Sequence, residues 1–135
     1  EKAASTGSGA QATAAGPAPG SEEDLVANVG DRVFFAFNKS NLQPEARGTL
    51  DRQAAWLQKY PQVNVQVAGN CDERGTEEYN LALGQRRAGI VAAYLASHGM
   101  ARAHLATSSR GEFDATGTDD QGWARDRKVD VVLAD

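Results

Sequence analysis

A strand signal that feeds, through a polar loop, into a long helix signal constrains this chain more than any other feature. Val63, Val65 and Val67 alternate with Asn64, Gln66 and Ala68. That alternation describes a half-buried strand with one apolar face and one polar face. Polar residues at 69–76 follow, and then a helical pattern runs from about Glu77 to Ser97. Thr76 suits the N-cap, Glu77 and Glu78 complement the positive end of the helix, and His98 with Gly99 suits its exit. A strand apolar on one face only takes helices on that face only.

The flanking segments extend the pattern. Residues 33–37 read as a strand with Val33, Phe35 and Phe37 on one face. Pro44 suits a first helical turn, Ala46, Leu50, Ala54 and Leu57 have helical spacing, and Tyr60 with Pro61 ends that helix. A short strand is expected at 105–109. A loop with a helical turn near Trp123 comes next, and a last strand carries Val129, Val131 and Leu133. The fold class predicted is α/β, a two-layer sandwich with a mixed four-stranded sheet and helices on one face.

Residues 1–24 are Ala, Gly, Ser, Thr and Pro with a few charges, and no large side chain precedes Leu25. Such a stretch cannot bury enough surface to offset its ordering entropy, so it reads as a flexible linker. Its root-mean-square reach is roughly 25–30 Å. Order is expected to begin near Asp31, and the domain is placed at 25–135.

Composition narrows the function classes. The net charge of −4 argues against a nucleic-acid partner, which needs a basic field. The single cysteine, Cys71, cannot form an internal disulfide, and with His98 and His104 it matches no metal-ligand spacing. No apolar run is long enough to span a bilayer. Asp72 and Glu73 are adjacent and point apart, so they do not make a glycosidase pair. Nucleotide-binding and nucleophile-elbow glycine motifs are missing. No enzyme, metal or cofactor is expected.

Arg87 carries the functional argument. At about 100° per residue it falls within the stripe of Leu83, Ile90 and Tyr94, with Val91 at the edge. A guanidinium there must be paired or must reach a ligand. Asn80 lies on nearly the same line. Asp72 sits in the loop after the strand, where ligands of open α/β sheets gather near helix N-termini. Asp72 and Arg87 suit the ammonium and carboxylate of a zwitterion. Spacing leaves the alternative open that they pair with each other.

Gly69-Asn70-Cys71-Asp72-Glu73-Arg74-Gly75-Thr76, then Tyr79-Asn80, Leu83-Gly84 and Arg87-Ala88, resembles the signature of OmpA-like peptidoglycan-binding domains. The Asp-Glu-Arg-Gly-Thr and Leu-Gly-Gln-Arg-Arg-Ala runs, and the opening Val-Phe-Phe-Ala-Phe-Asn-Lys, are similar to the branch of peptidoglycan-associated lipoproteins (Pal). The resemblance covers about residues 31–133. It implies non-catalytic binding of the meso-diaminopimelate of peptidoglycan by Asp72 and Arg87. Backbone at Phe37 and Asn38 and around Leu83 would help, with Asn80 and Arg127 nearby.

The resemblance also implies an N-terminal lipid outside this sequence and a place on the periplasmic side of the outer membrane. A periplasmic β-propeller protein of the Tol system is the implied protein partner, and a module serving that partner with little wall binding is the alternative function. Departures from the branch pattern are Asn70-Cys71 for His and a small residue, Asn38 for Asp, Arg110 in a Ser-Tyr-Gly segment, and Asp126 and Lys128 in an Asn-Arg-Arg segment. From sequence alone, Arg87→Ala is expected to weaken wall binding about tenfold or more and leave the domain folded.

Overall fold

The computed structural model describes residues 16–134, with the backbone of two short strands nearer the start, β1 (Ser5–Thr6) and β2 (Ser8–Gly9), which pair antiparallel. The remainder of the stretch read as linker before residue 16 lies outside the described residues. The elements that follow are α1 (Glu22–Asn28), β3 (Arg32–Phe34), α2 (Pro44–Lys59), β4 (Asn64–Asn70), α3 (Glu77–Ser97), β5 (Leu105–Gly111), α4 (Asp120–Asp126) and β6 (Lys128–Ala134). A 3-10 turn, Arg102–His104, leads into β5.

The sheet has four strands in the order β3-β6-β4-β5. β6 runs antiparallel to both β3 and β4, and β4 and β5 are parallel, joined across the sheet by α3. Parallel neighbours need such a crossover, and the strand–loop–helix order supplies it. In the β4–β6 ladder Val65 pairs with Leu133 and Val67 with Val131. Val65, Val67, Val129 and Val131 are buried on the face that meets Leu50, Ala54 and Leu57 of α2 and Ala88, Val91 and Leu95 of α3. The period of two on the strands and of 3.6 on the helices therefore meet in one core.

The domain starts before Asp31 and before the expected boundary at residue 25, because α1 begins at Glu22, inside the stretch read as linker. Ser21 caps α1 by accepting from the Asp24 N–H, and three acidic residues fill the first turn. Leu25 is completely buried. The Trp56 indole N–H donates to Asp24 at 2.9 Å, and Glu22 accepts from the Leu133 N–H at 2.7 Å. A helix this short presents one core residue and no period, so tertiary bonds rather than pattern fix it.

Two side chains depart from the expected faces. Phe37 does not share the buried face of Val33 and Phe35; it is 45% exposed. The chain leaves the sheet after Phe34, and Asn38 turns it with a left-handed φ of 58°. Ile90 is 40% exposed, not part of the apolar stripe. The buried arc of α3 runs through Leu83, Arg87, Ala88, Val91 and Leu95. Its centre lies about 50° from Arg87 towards Leu95, which carries Ile90 out to solvent.

α3 approaches β4 very closely where two glycines face each other. A Cβ on Gly69 would lie 2.6 Å from the Gly84 carbonyl carbon, and one on Gly84 would lie 3.0 Å from the Gly69 oxygen. This contact sets the depth at which the next turn of α3, with Arg87, enters the structure.

Candidate ligand-binding site

The polar loop between β4 and α3 is shaped by Asp72. Its carboxylate accepts the Arg74 backbone N–H at 3.0 Å, closing an Asx-type turn. It also accepts Arg74 Nη2 at 2.8 Å and Nε at 3.3 Å, and Arg127 Nη1 at 3.3 Å. Burial pushes the Asp72 carboxyl up, but the Arg74 and Arg127 bonds outweigh it and hold the group below its ordinary value. Thr76 caps α3 by accepting the Tyr79 N–H.

Arg87 is 0% exposed, the largest fully buried side chain among the described residues. Nε donates to Lys39 O at 2.8 Å, Nη1 to Asn70 O at 2.9 Å and Nη2 to Ala36 O at 3.1 Å. Nη1 also points at Cys71 Sγ at 3.6 Å. One guanidinium thus ties α3 to the end of β4 and to the turn after β3. Burial lowers its proton affinity from the usual arginine range. Among the described residues no carboxylate lies within ion-pair distance of it. Cys71 is buried and its thiol is pushed up by that burial, so it is a packed neutral group.

The two residues expected to form the clamp are therefore neither bonded to each other nor both free. Asp72 is held by Arg74 and Arg127, while Arg87 is held by three backbone carbonyls and the Cys71 sulfur. They do share one recess. All seven residues singled out in the sequence, Asp72, Arg87, Asn80, Leu83, Phe37, Asn38 and Arg127, wall it, joined by Cys71 and Arg74. Asn80 is buried and donates to Arg74 O at 2.9 Å and to Glu112 Oε1 at 2.7 Å. Asn38 accepts from the Tyr79 hydroxyl at 3.0 Å, and Arg127 Nε donates to Phe35 O at 2.9 Å. Leu83 adds a buried apolar side chain to the lining.

The free space in the recess is about 10 Å³, room for no more than one water. A larger cavity of about 430 Å³ lies beside it, lined by Glu77, Leu81, Ser109, Arg110, Glu112 and Phe113. Size does not locate the chemistry here, because no buried charge faces that larger cavity. Among the described residues, no three His, Cys, Asp or Glu side chains converge as metal ligands, and no helix is long and apolar enough to cross a membrane.

Sequence reasoning did not single out Arg74 or Trp123 for the site. The Arg74 guanidinium lies 3.9 Å from the Phe37 ring centre and 4.0 Å from the Trp123 ring, between the two. Trp123 in turn donates its indole N–H to Glu73 Oε2 at 2.8 Å. No periodicity joins residues 37, 74 and 123. A lone cation two residues past a pocket carboxylate was the one available signal.

Comparison with known proteins fits this geometry. The OmpA family profile matches residues 34–129. The peptidoglycan-associated lipoprotein of Brucella melitensis biotype 1 is 44% identical over 117 residues, 85% of this chain and 70% of that protein. The crystal structure of the peptidoglycan-associated lipoprotein from Burkholderia pseudomallei has a TM-score of 0.75 at 35% identity, over 82% of this chain and 100% of that one. The C-terminal domain of Helicobacter pylori MotB shares the fold, with a TM-score of 0.71 at 21% identity over 78% of this chain and 84% of that one. The two-layer sandwich, the recess residues and these matches together place the chain in the OmpA family, within its branch of peptidoglycan-associated lipoproteins.

Proposed function

We propose that this domain binds peptidoglycan non-covalently by taking the meso-diaminopimelate of the stem peptide into the recess. The observation that carries this reading is Arg87, a fully buried cation with no carboxylate partner among the described residues. A buried charge without a counter-charge is costly. A guanidinium has five N–H donors, and three of them reach backbone carbonyls. A ligand carboxylate would supply the missing charge, and Asp72, held ionised at the same recess, would take the ligand's ammonium. Each charge-assisted bond contributes roughly 1.5–3 kcal/mol.

The role is binding rather than catalysis. Asp72 turns towards Arg74 and Glu73 towards Trp123, so the two carboxylates do not face a common bond. In this reading the stretch before α1 is a tether. It runs from a lipid anchor in the outer membrane to a wall-bound domain on the periplasmic side. The name carried by the relatives, peptidoglycan-associated lipoprotein, supports both halves. A periplasmic Tol β-propeller protein completes the set of partners, and competition between it and a muropeptide tests that assignment.

The test of the main reading is a titration with two muropeptides, one bearing meso-diaminopimelate and one bearing lysine at the same position. They differ by one carboxylate. Binding of the diaminopimelate form tighter by about tenfold or more is expected, since one charge-assisted bond is at stake. Asp72→Asn should weaken both forms. Equal affinity for the two peptides would remove Arg87 as the carboxylate partner.

A further inference from the structure

Resting on the reading above, we infer that Arg74 is an internal stand-in for the ligand's cation. It fills a slot between Phe37 and Trp123 at the Asp72 carboxylate, and the ammonium of the incoming amino acid must displace it. The free recess is about 10 Å³, which admits one water and no amino-acid head. The missing room is where the Arg74 guanidinium lies. It is stacked between two aromatic rings at 3.9 and 4.0 Å, and its Nη2 sits 2.8 Å from Asp72 Oδ2. A slot between two aromatic faces that opens onto a carboxylate partner is a cation site by chemistry.

The side chain is built to leave. It is about one-third exposed (33%), whereas the Asp72 side chain is only 4% exposed. Its backbone is pinned at both ends, the N–H to Asp72 Oδ1 and the carbonyl to Asn80 Nδ2. The guanidinium can therefore swing into solvent while the loop keeps its shape. Asp72 meanwhile retains the Arg74 backbone N–H and Arg127, so it is never stripped of partners during the exchange. Phe37, exposed at the rim, and Trp123, held by Glu73, form the walls that the ligand's cation inherits.

The experiment compares the wild-type chain and Arg74→Gln, each titrated calorimetrically with a meso-diaminopimelate muropeptide. The Arg74 Nε–H and Trp123 indole N–H resonances are followed by NMR in the wild type. At saturation the Nε–H signal should lose its bonded shift and exchange with water, and the Trp123 signal should move. Arg74→Gln should bind about two- to fivefold tighter, the worth of a partly exposed ion pair no longer broken. An unmoved Nε–H signal at saturation would sink the displacement, whatever the variant does. So would equal or weaker binding by Arg74→Gln, which would make Arg74 a ligand contact or a bystander. Absence of binding by either protein would instead overturn the proposed function, and this inference with it.

Discussion

Gly69→Ala is the substitution for which the structure makes the sharpest demand. The new Cβ would stand 2.6 Å from the Gly84 carbonyl carbon and 3.0 Å from its Cα. The Gly84 carbonyl oxygen lies closer still, and carbon atoms pack at about 3.5–4.0 Å, so α3 must retreat from β4 by at least about 1 Å. Arg87 is one turn further along the same helix, and its bond to Asn70 O is 2.9 Å long. A retreat of that size carries the bond beyond hydrogen-bonding range. Overpacking of this kind costs about 1–3 kcal/mol, and a bond from a charged donor contributes about 1.5 kcal/mol or more. A total near 3–4 kcal/mol is a large part of the usual 5–15 kcal/mol of a domain, so the variant should fold but be fragile.

Urea unfolding should show a midpoint lower by more than about 1 M, and diaminopimelate binding should weaken in the same variant. Gly89→Ala, on the exposed side of the same helix with nothing within 4 Å of its Cβ, should instead stabilise by about 0.5–1 kcal/mol. A Gly69→Ala protein with an unchanged midpoint and intact binding would refute the close-approach argument and the coupling of that contact to Arg87.

Other perturbations have signs that the structure fixes. Arg87→Met leaves the carbonyls of Ala36, Lys39 and Asn70 without their donor. It should cost about 3 kcal/mol or more in urea unfolding as well as abolish muropeptide binding. Asp126 accepts from the backbone N–H groups of Thr116 and Gly117, the latter at 2.8 Å; Asp126→Ala should lower stability by about 1–3 kcal/mol without weakening the ligand's charge contacts. The Asp72 carboxyl is held below its ordinary value of 3.8, so the unfolded chain takes up its proton first as the medium is acidified. Its contribution is complete above the ordinary carboxylate range and disappears as pH falls through the folded-state value. Urea midpoints measured from pH 7 down to pH 3 should drop at the acid end, and Asp72→Asn should flatten that drop.

What the sequence disclosed follows from what repeats. The helical spacing of Ala46, Leu50, Ala54 and Leu57 and the alternation about Val65 and Val67 each reflect a side chain meeting the core once per period, so α2, β4 and their contact were legible. The bounds of α3 were legible because its caps, Thr76 and His98, are local chemistry. Phe37 and Ile90 were misplaced because alternation and stripe angles assume that an element continues straight, and neither residue obeys that assumption. α1 was hidden because Leu25 is its one core residue.

For the recess, every residue singled out lines it, yet the bonding was not what spacing implied. The Asp72–Arg74 bonds are local to the loop, but the pairing of Asp72 with Arg127 depends on two distant segments folding together. The departures at Asn70, Asn38 and Asp126 also resolve in three dimensions. Asn70 is buried and its side chain caps Ala68 O, Asn38 receives Tyr79, and Asp126 braces the turn before α4.

The clip between Glu22 and the Leu133 N–H has a mechanical meaning. β6 begins at Lys128, next to Arg127 on the recess, and reaches Leu133 near its other end, where α1 is fastened. It spans about 20 Å along the strand. A pull between a tether entering at α1 and a ligand held in the recess would run lengthwise along β6. That strand is hydrogen-bonded on both sides, to β3 and to β4. Its ladder would be loaded in shear, with many bonds resisting together, rather than peeled one at a time from an edge.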